Sequence, residues 1–114
     1  MHLLFRETPV FTERAVEVLT DEELRTAQNT LLENPEAGRP IRGAAGLRKL
    51  RVALPSKGRG TGKSGGARVI YLYLSRRALV YLFYVYGKHE ADDLSPAGRH
   101  LLAALARQYK AEDD

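Results

Sequence analysis

A chain of 114 residues with 44% apolar and 28% charged residues is long enough for one hydrophobic core, and a single domain over 1–114 is expected. The absence of cysteine excludes a disulfide framework, a thiolate nucleophile and a thiolate zinc site. The net charge of +4 and a pI near 9.6 suit a polyanionic partner.

The opening MHLLFRETP has too short an apolar run for a signal peptide. No run approaches the roughly 20 apolar residues of a membrane span. The expectation is a soluble cytoplasmic protein with no membrane partner.

His2 to Phe5 reads as a first strand. Thr8-Pro9 is a helix start, with Thr8 as N-cap and Pro9 at the first helical position. Phe11, Ala15, Val18 and Leu19 recur at helical spacing, which predicts a helix from Pro9 to Leu19. Thr20 with Glu23 three residues later forms a capping box. The helix it opens carries Leu24, Ala27, Leu31 and Leu32 and ends at Asn34-Pro35. Pro35 to Gly46 is rich in Gly and Pro and reads as loop.

Leu47 to Leu54 alternates: Leu50, Val52 and Leu54 share one face, Lys49, Arg51 and Ala53 the other. Pro55 to Gly66 has almost nothing to bury, which predicts a mobile cationic loop. Ala67 to Leu74 and Ala78 to Tyr86 are β-branched and aromatic runs around Ser75-Arg76-Arg77, an antiparallel hairpin of central strands. Ser95-Pro96 repeats the cap-plus-proline signal, and Leu101, Leu102, Leu105 and Tyr109 mark the stripe of a last helix. The order is β-α-α-β-β-β-α. This predicts a small α+β domain whose antiparallel-dominated sheet is packed by two N-terminal helices and a C-terminal helix.

Charge is strongly polarised along the chain. No Asp or Glu occurs from Ala37 to His89, whereas twelve of the 18 Lys and Arg do. The densest part contains Arg48, Lys49, Arg51, Lys57, Arg59, Lys63 and Arg68. A cationic block without internal neutralisers is suited to nucleic acid. Gly62-Lys63-Ser64 has the look of a P-loop end, but Lys57 stands where that motif needs Gly, and a strand follows instead of a helix. The three histidines are scattered, and Lys88 sits among the carboxylates of 87–93, which leaves little basis for a metal site. No cofactor is expected.

RNA carries its own nucleophile, the 2′-hydroxyl. A protein that cleaves it must supply in-line geometry, charge stabilisation at phosphorus and proton transfer. Lys49, Arg51 and Arg68 are the right types for the charge. Tyr84, Tyr86, Lys88 and His89 bring titratable groups to the end of the last strand. Arg48, Lys57, Arg59 and Lys63 are candidates for RNA contacts, and Tyr71, Tyr73, Tyr81, Tyr84 and Tyr86 for base stacking. Plainer readings stand beside these. The tyrosines pack a core, His89 is a hydrogen-bonded structural residue, Arg39 and Arg42 are solvated, and Asp92-Asp93 simply leads into the last helix.

Three segments in order, Gly46-Leu47-Arg48-Lys49-Leu50-Arg51, then Gly65-Gly66-Ala67-Arg68-Val69-Ile70-Tyr71, then Tyr86-Gly87-Lys88-His89-Glu90 through Asp93-Leu94-Ser95, resemble the HigB-like branch of the RelE toxin superfamily. The resemblance covers nearly the whole chain. It implies a microbial-RNase-like fold and a ribosome-dependent endoribonuclease. Such a toxin cleaves messenger RNA in the ribosomal A site by 2′-hydroxyl attack without metal. Its implied partners are the ribosome, the message and a cognate antitoxin of helix-turn-helix type. By position, the family's basic strand residues fall on Lys49 and Arg51, its next arginine on Arg68, and the basic residue after Gly-Lys on His89 beside Lys88. RelE has arginine at that last position, and a tyrosine where Leu94 stands, so its general base does not carry over. Tyr84, Tyr86, Lys88 and His89 are the substitutes. The rival reading is a non-catalytic RNA- or ribosome-binding inhibitor of translation. A third, a DNA-binding regulator, has no helix-turn-helix pattern behind it.

Overall fold

Three short capping signals set the helix starts. The computed structural model describes residues 2–58, 62, 65–91 and 93–113. In it the Thr8 hydroxyl accepts from Phe11 N at 3.2 Å and opens α1, Pro9–Val18. Both arms of the Thr20–Glu23 capping box are closed, at 2.9 and 3.1 Å, and open α2, Asp21–Glu33. Ser95 Oγ accepts from Gly98 N at 3.0 Å at the head of α3, Pro96–Asp113. Each cap satisfies backbone donors that the first helical turn leaves orphaned. No helix among the described residues is long and apolar enough to cross a membrane.

Five strands make one sheet: β1 Leu4–Glu7, β2 Arg39–Pro40, β3 Arg48–Val52, β4 Ala67–Leu74 and β5 Leu79–Gly87. Their order is β1-β5-β4-β3-β2, with β1 parallel to β5 and the other neighbours antiparallel. The α+β class and the antiparallel-dominated sheet are as expected. Three details differ. The first strand lies two residues later than the apolar run suggests, because it takes its register from Leu79 to Leu82 of β5. The Gly- and Pro-rich loop contains the two-residue β2, held by pairing with Arg48 and Lys49. The strand read over Leu47 to Leu54 pairs only from Arg48 to Val52.

The sheet is covered on both faces. Phe11, Ala15 and Val18 of α1 and Ala27 and Leu31 of α2 pack with Leu50, Val52, Val69, Tyr71, Val80, Leu82 and Val85 on one face. Ala103 and Ala106 of α3 pack with Leu47, Ile70, Leu72, Leu79, Phe83 and Tyr86 on the other. Leu102, Leu105 and Tyr109 of the stripe read for the last helix are partly buried against the same face. The buried centre of the helix is the two alanines, which let it lie close to the sheet, and Leu101 is 71% exposed.

A bulge in β5 decides which side chains face which layer. Tyr71 lies opposite Leu82 and Ile70 opposite Tyr84, so Phe83 is an extra residue. Strict alternation from Val80 and Leu82 would put Tyr84 and Tyr86 under α1 and α2. The inserted residue turns both to the α3 face instead.

Tyr71 is fully buried and acts as a staple rather than a stacking platform. Its hydroxyl donates to Pro35 O at 2.7 Å and accepts from Gly38 N at 2.9 Å, fastening the loop after α2. A Cβ on Gly38 would stand 2.7 Å from the Tyr71 ring, so only glycine lets the loop come this near. Tyr71→Phe is expected to leave both backbone groups unpaired and to lower stability by about 1–3 kcal/mol. A urea midpoint equal to that of the wild type would refute the staple.

Glu23 is buried, and it accepts from Ser56 N at 3.1 Å and Ser56 Oγ at 2.7 Å besides its capping bonds. Burial pushes its carboxyl up, but the bonds from Thr20 and Ser56 outweigh that and hold it below 4.5. A folded value below the unfolded one means that this carboxylate adds stability above about pH 4.5. That contribution is lost as the pH falls through the lower, folded value. Glu23→Gln is therefore expected to be less stable at neutral pH and to lose stability less steeply in acid. Urea titrations of both proteins across that range check this, and parallel curves would sink it.

Candidate nucleic-acid interface

The strand register assembles the cations. On the α3 face, Arg51 of β3 lies opposite Arg68 of β4, and Arg68 lies opposite Tyr86 of β5. The neighbouring row runs Arg39, Lys49, Ile70, Tyr84 across four strands. Four cations and two tyrosines thus occupy two adjacent rows at one end of the sheet. Arg51 is exposed, Lys49 half-buried, and Arg68 only 4% exposed, with its Nη1 donating to Ala67 O at 3.2 Å.

Lys88 and His89 follow β5 at that same end. Lys88 N donates to Gly66 O at 2.8 Å, tying the turn to the start of β4. The His89 ring lies over Gly87, where an added Cβ would stand 2.5 Å from its Cε1. Lys57, exposed in the short 3-10 turn Pro55–Lys57, extends the basic surface beyond β3.

Other expected residues are not gathered here. Arg48 points to the opposite face and donates to Glu36 O, Gly38 O and Glu36 Oε2, bracing the loop that Tyr71 staples. Arg59 and Lys63 lie outside the described residues, as does most of Gly62-Lys63-Ser64. Tyr81 stacks edge-on against Tyr109, with ring centres 4.5 Å apart, and is packing.

Two residues join the site without a signal in the sequence. Arg39 enters through the short β2. Asp93, between β5 and α3, has its Oδ1 accept from Lys49 Nζ of β3 at 3.2 Å and from Leu94 N at 2.8 Å. Burial pushes the Asp93 carboxyl up, and these two bonds, with Arg99 nearby, hold it low. Tyr86 is 3% exposed, and its hydroxyl has no partner among the described residues. Burial pushes this phenol up to about 12, Asp93 adds to the shift and Arg68 opposes it. Tyr86 therefore stays neutral and can act as a donor, not as a base, near pH 7.

The other carboxylate nearby is fully engaged. Glu90 accepts from Gly87 N at 2.9 Å through Oε1 and from Arg14 at 2.6 Å through Oε2. Arg14 also donates to Val85 O at 2.8 Å and lies over the Tyr84 ring at 5.2 Å. A groove of about 650 Å³ runs between this end of β5 and the head of α3, lined by Tyr84, Tyr86, Asp93, Leu94, Leu101 and Leu102 among others.

No protein-family model matches the chain. Among solved structures, the intact E. coli RelBE toxin–antitoxin complex aligns over 75% of this chain and 96% of its own, at 20% identity and a TM-score of 0.55. A double arginine-to-alanine mutant of E. coli RelE in the free state aligns over 91% and 96%, at 18% identity and 0.59. The isolated E. coli RelE toxin aligns over 91% and 99%, at 19% and 0.53. The fold is that of RelE. The RelE-like fold explains why the cations meet where they do. Its β3–β4–β5 core puts three strand ends side by side, with Arg51 exposed there and Arg68 and Tyr86 buried.

Proposed function

We propose that this chain is the toxin of a toxin–antitoxin pair, of the HigB-like branch, and that it cleaves messenger RNA on the ribosome. The observation that carries this reading is the row Arg51–Arg68–Tyr86 beside Lys49, at one end of a RelE-like sheet. Cations at fixed positions on a sheet match the charge that develops at a phosphorus under attack and need no reorganisation during the reaction. The 2′-hydroxyl of the preceding ribose is the nucleophile. Lys49, Arg51 and Arg68 would hold and neutralise the scissile phosphate, and Lys88 and His89 would assist proton transfer. Arg39 and Lys57 extend the track for the RNA backbone.

The ribosome's part follows from how little of the site the isolated protein presents. With Arg51 exposed but Arg68 and Tyr86 buried, the isolated protein offers little to fix an RNA in line, so a second surface must hold the message against it. The antitoxin, of helix-turn-helix type, would silence the protein in the cytoplasm by covering the same face. Purified protein added to a translating extract tests the reading, with message ends mapped by primer extension. Breaks within translated codons, absent when ribosomes are stripped from the message, are the expected result. Arrested translation with intact message would make the protein a non-catalytic ribosome binder. Undisturbed translation would remove the toxin assignment.

A further inference from the structure

We propose that Asp93 is the proton acceptor for the 2′-hydroxyl, held by Lys49 until the scissile phosphate draws that lysine away. This rests on the nuclease reading above. The first support is that two of the described titratable groups beside the cation rows are poorly placed to take a proton. The Tyr86 phenol holds its proton too firmly near pH 7. Both oxygens of Glu90 are occupied, by Gly87 N and by Arg14.

The second support is position. Lys49 lies on β3 in the row next to Arg51 and Arg68, its 3.2 Å contact brings Asp93 from beyond β5 to that row, and the Asp93 charge acts on Tyr86. Only Asp93 Oδ1 is engaged, and Oδ2 has no partner among the described residues. The charged and titratable groups facing this carboxyl are Lys49 from β3, Tyr86 from β5 and Arg99 from α3.

The ion pair supplies the timing. In RNA the 2′-hydroxyl adjoins the phosphate it attacks. A lysine that moves to the phosphate therefore leaves its carboxylate next to the nucleophile. Losing its nearest cation also makes the carboxylate more basic at that moment. Asp93 Oδ2 takes the 2′-proton as the O2′–P bond forms. The P–O5′ bond breaks, and the 5′-oxygen takes a proton from Lys88 or His89. The products are a 2′,3′-cyclic phosphate and a 5′-hydroxyl.

Single-turnover cleavage of message on programmed ribosomes tests this, with wild type, Asp93→Asn and Asp93→Glu compared across pH. Asparagine keeps the Oδ1 acceptor for Leu94 N, and thermal melts check that each variant is folded. Asp93→Asn is expected to bind ribosomes as tightly as wild type and to cleave about 10²–10⁴-fold more slowly. Without a base it would rely on hydroxide, so its deficit relative to wild type should shrink roughly tenfold per pH unit. Asp93→Glu should recover part of the rate with the wild-type profile. An Asp93→Asn protein that cleaves as fast as wild type, or faster, overturns the proposal and leaves Asp93 as a mere screen for Lys49. A slower rate whose deficit is constant with pH also overturns it, since that is positioning alone. Wild-type protein that leaves the message whole defeats the nuclease reading itself, a separate outcome.

Discussion

Arg51→Ala is expected to slow message cleavage by about 10²–10³-fold while leaving the protein as stable as before or slightly more so. The two halves of this expectation have different origins. Arg51 and Arg68 lie directly opposite each other on neighbouring strands. Like charges in that arrangement repel by roughly 0.2–1 kcal/mol. A fold selected for stability alone would place a carboxylate or an apolar residue at one of them. Arg51 is also the exposed member, so its removal leaves no cavity. Loss of activity without loss of stability is the signature of a group kept for its ligand. Arg68→Ala is a poorer probe, because Arg68 is buried and its removal disturbs packing as well. Cleavage assays and urea melts on Arg51→Ala decide the matter. Undiminished cleavage would take Arg51 out of the phosphate site. A fall in stability matching the fall in rate would make its role structural.

The second large effect belongs to the core. Phe11 is fully buried where α1 meets the sheet. Phe11→Ala should cost about 3–5 kcal/mol, through lost transfer energy and the cavity left behind. A domain of this size has a total of roughly 5–15 kcal/mol, so much of it could be unfolded at 37 °C. Leu101→Ala serves as the control. Leu101 is one of the leucines that the helical pattern marks as apolar stripe, yet it stands 71% exposed and its truncation should change stability by less than about 0.5 kcal/mol. Equal midpoint shifts for the two variants would contradict the burial described for α1 and α3.

The parts of the fold legible in the sequence are those written within a few consecutive residues. Thr8-Pro9, Thr20 with Glu23, and Ser95-Pro96 each carry a complete cap, and each opens a helix where expected. The alternation Lys49-Leu50-Arg51-Val52 also stands, and followed one residue back it puts Arg48 on the face away from the other cations. What was hidden depends on register between distant strands. Nothing near Arg39-Pro40 announces a strand, because its two residues are held by β3 alone. The extra residue at Phe83 is invisible until β4 lies beside it, yet it decides the face of Tyr84 and Tyr86. Asp93 reads locally as helix lead-in, which it also is, since it accepts from Leu94 N. Its bond to Lys49, 44 residues away in sequence, has no local trace.

The parallel pairing of β1 with β5 sets an order of assembly. Leu4 lies beside Leu79, and the Thr8 hydroxyl that caps α1 donates to Phe83 O at 2.7 Å. Arg14 likewise donates to Val85 O. The first strand and the first helix thus have no surface to lie on until the last strand exists. Contacts at such sequence distance close slowly, because the loop entropy is lost before the contact is gained. A nascent chain broken off before residue 79 holds two amphipathic helices with uncovered apolar faces and lacks Tyr84, Tyr86, Lys88, His89 and Asp93 altogether. The cationic site is therefore completed only once β5 and the turn after it have been made, and no product broken off before residue 79 carries it.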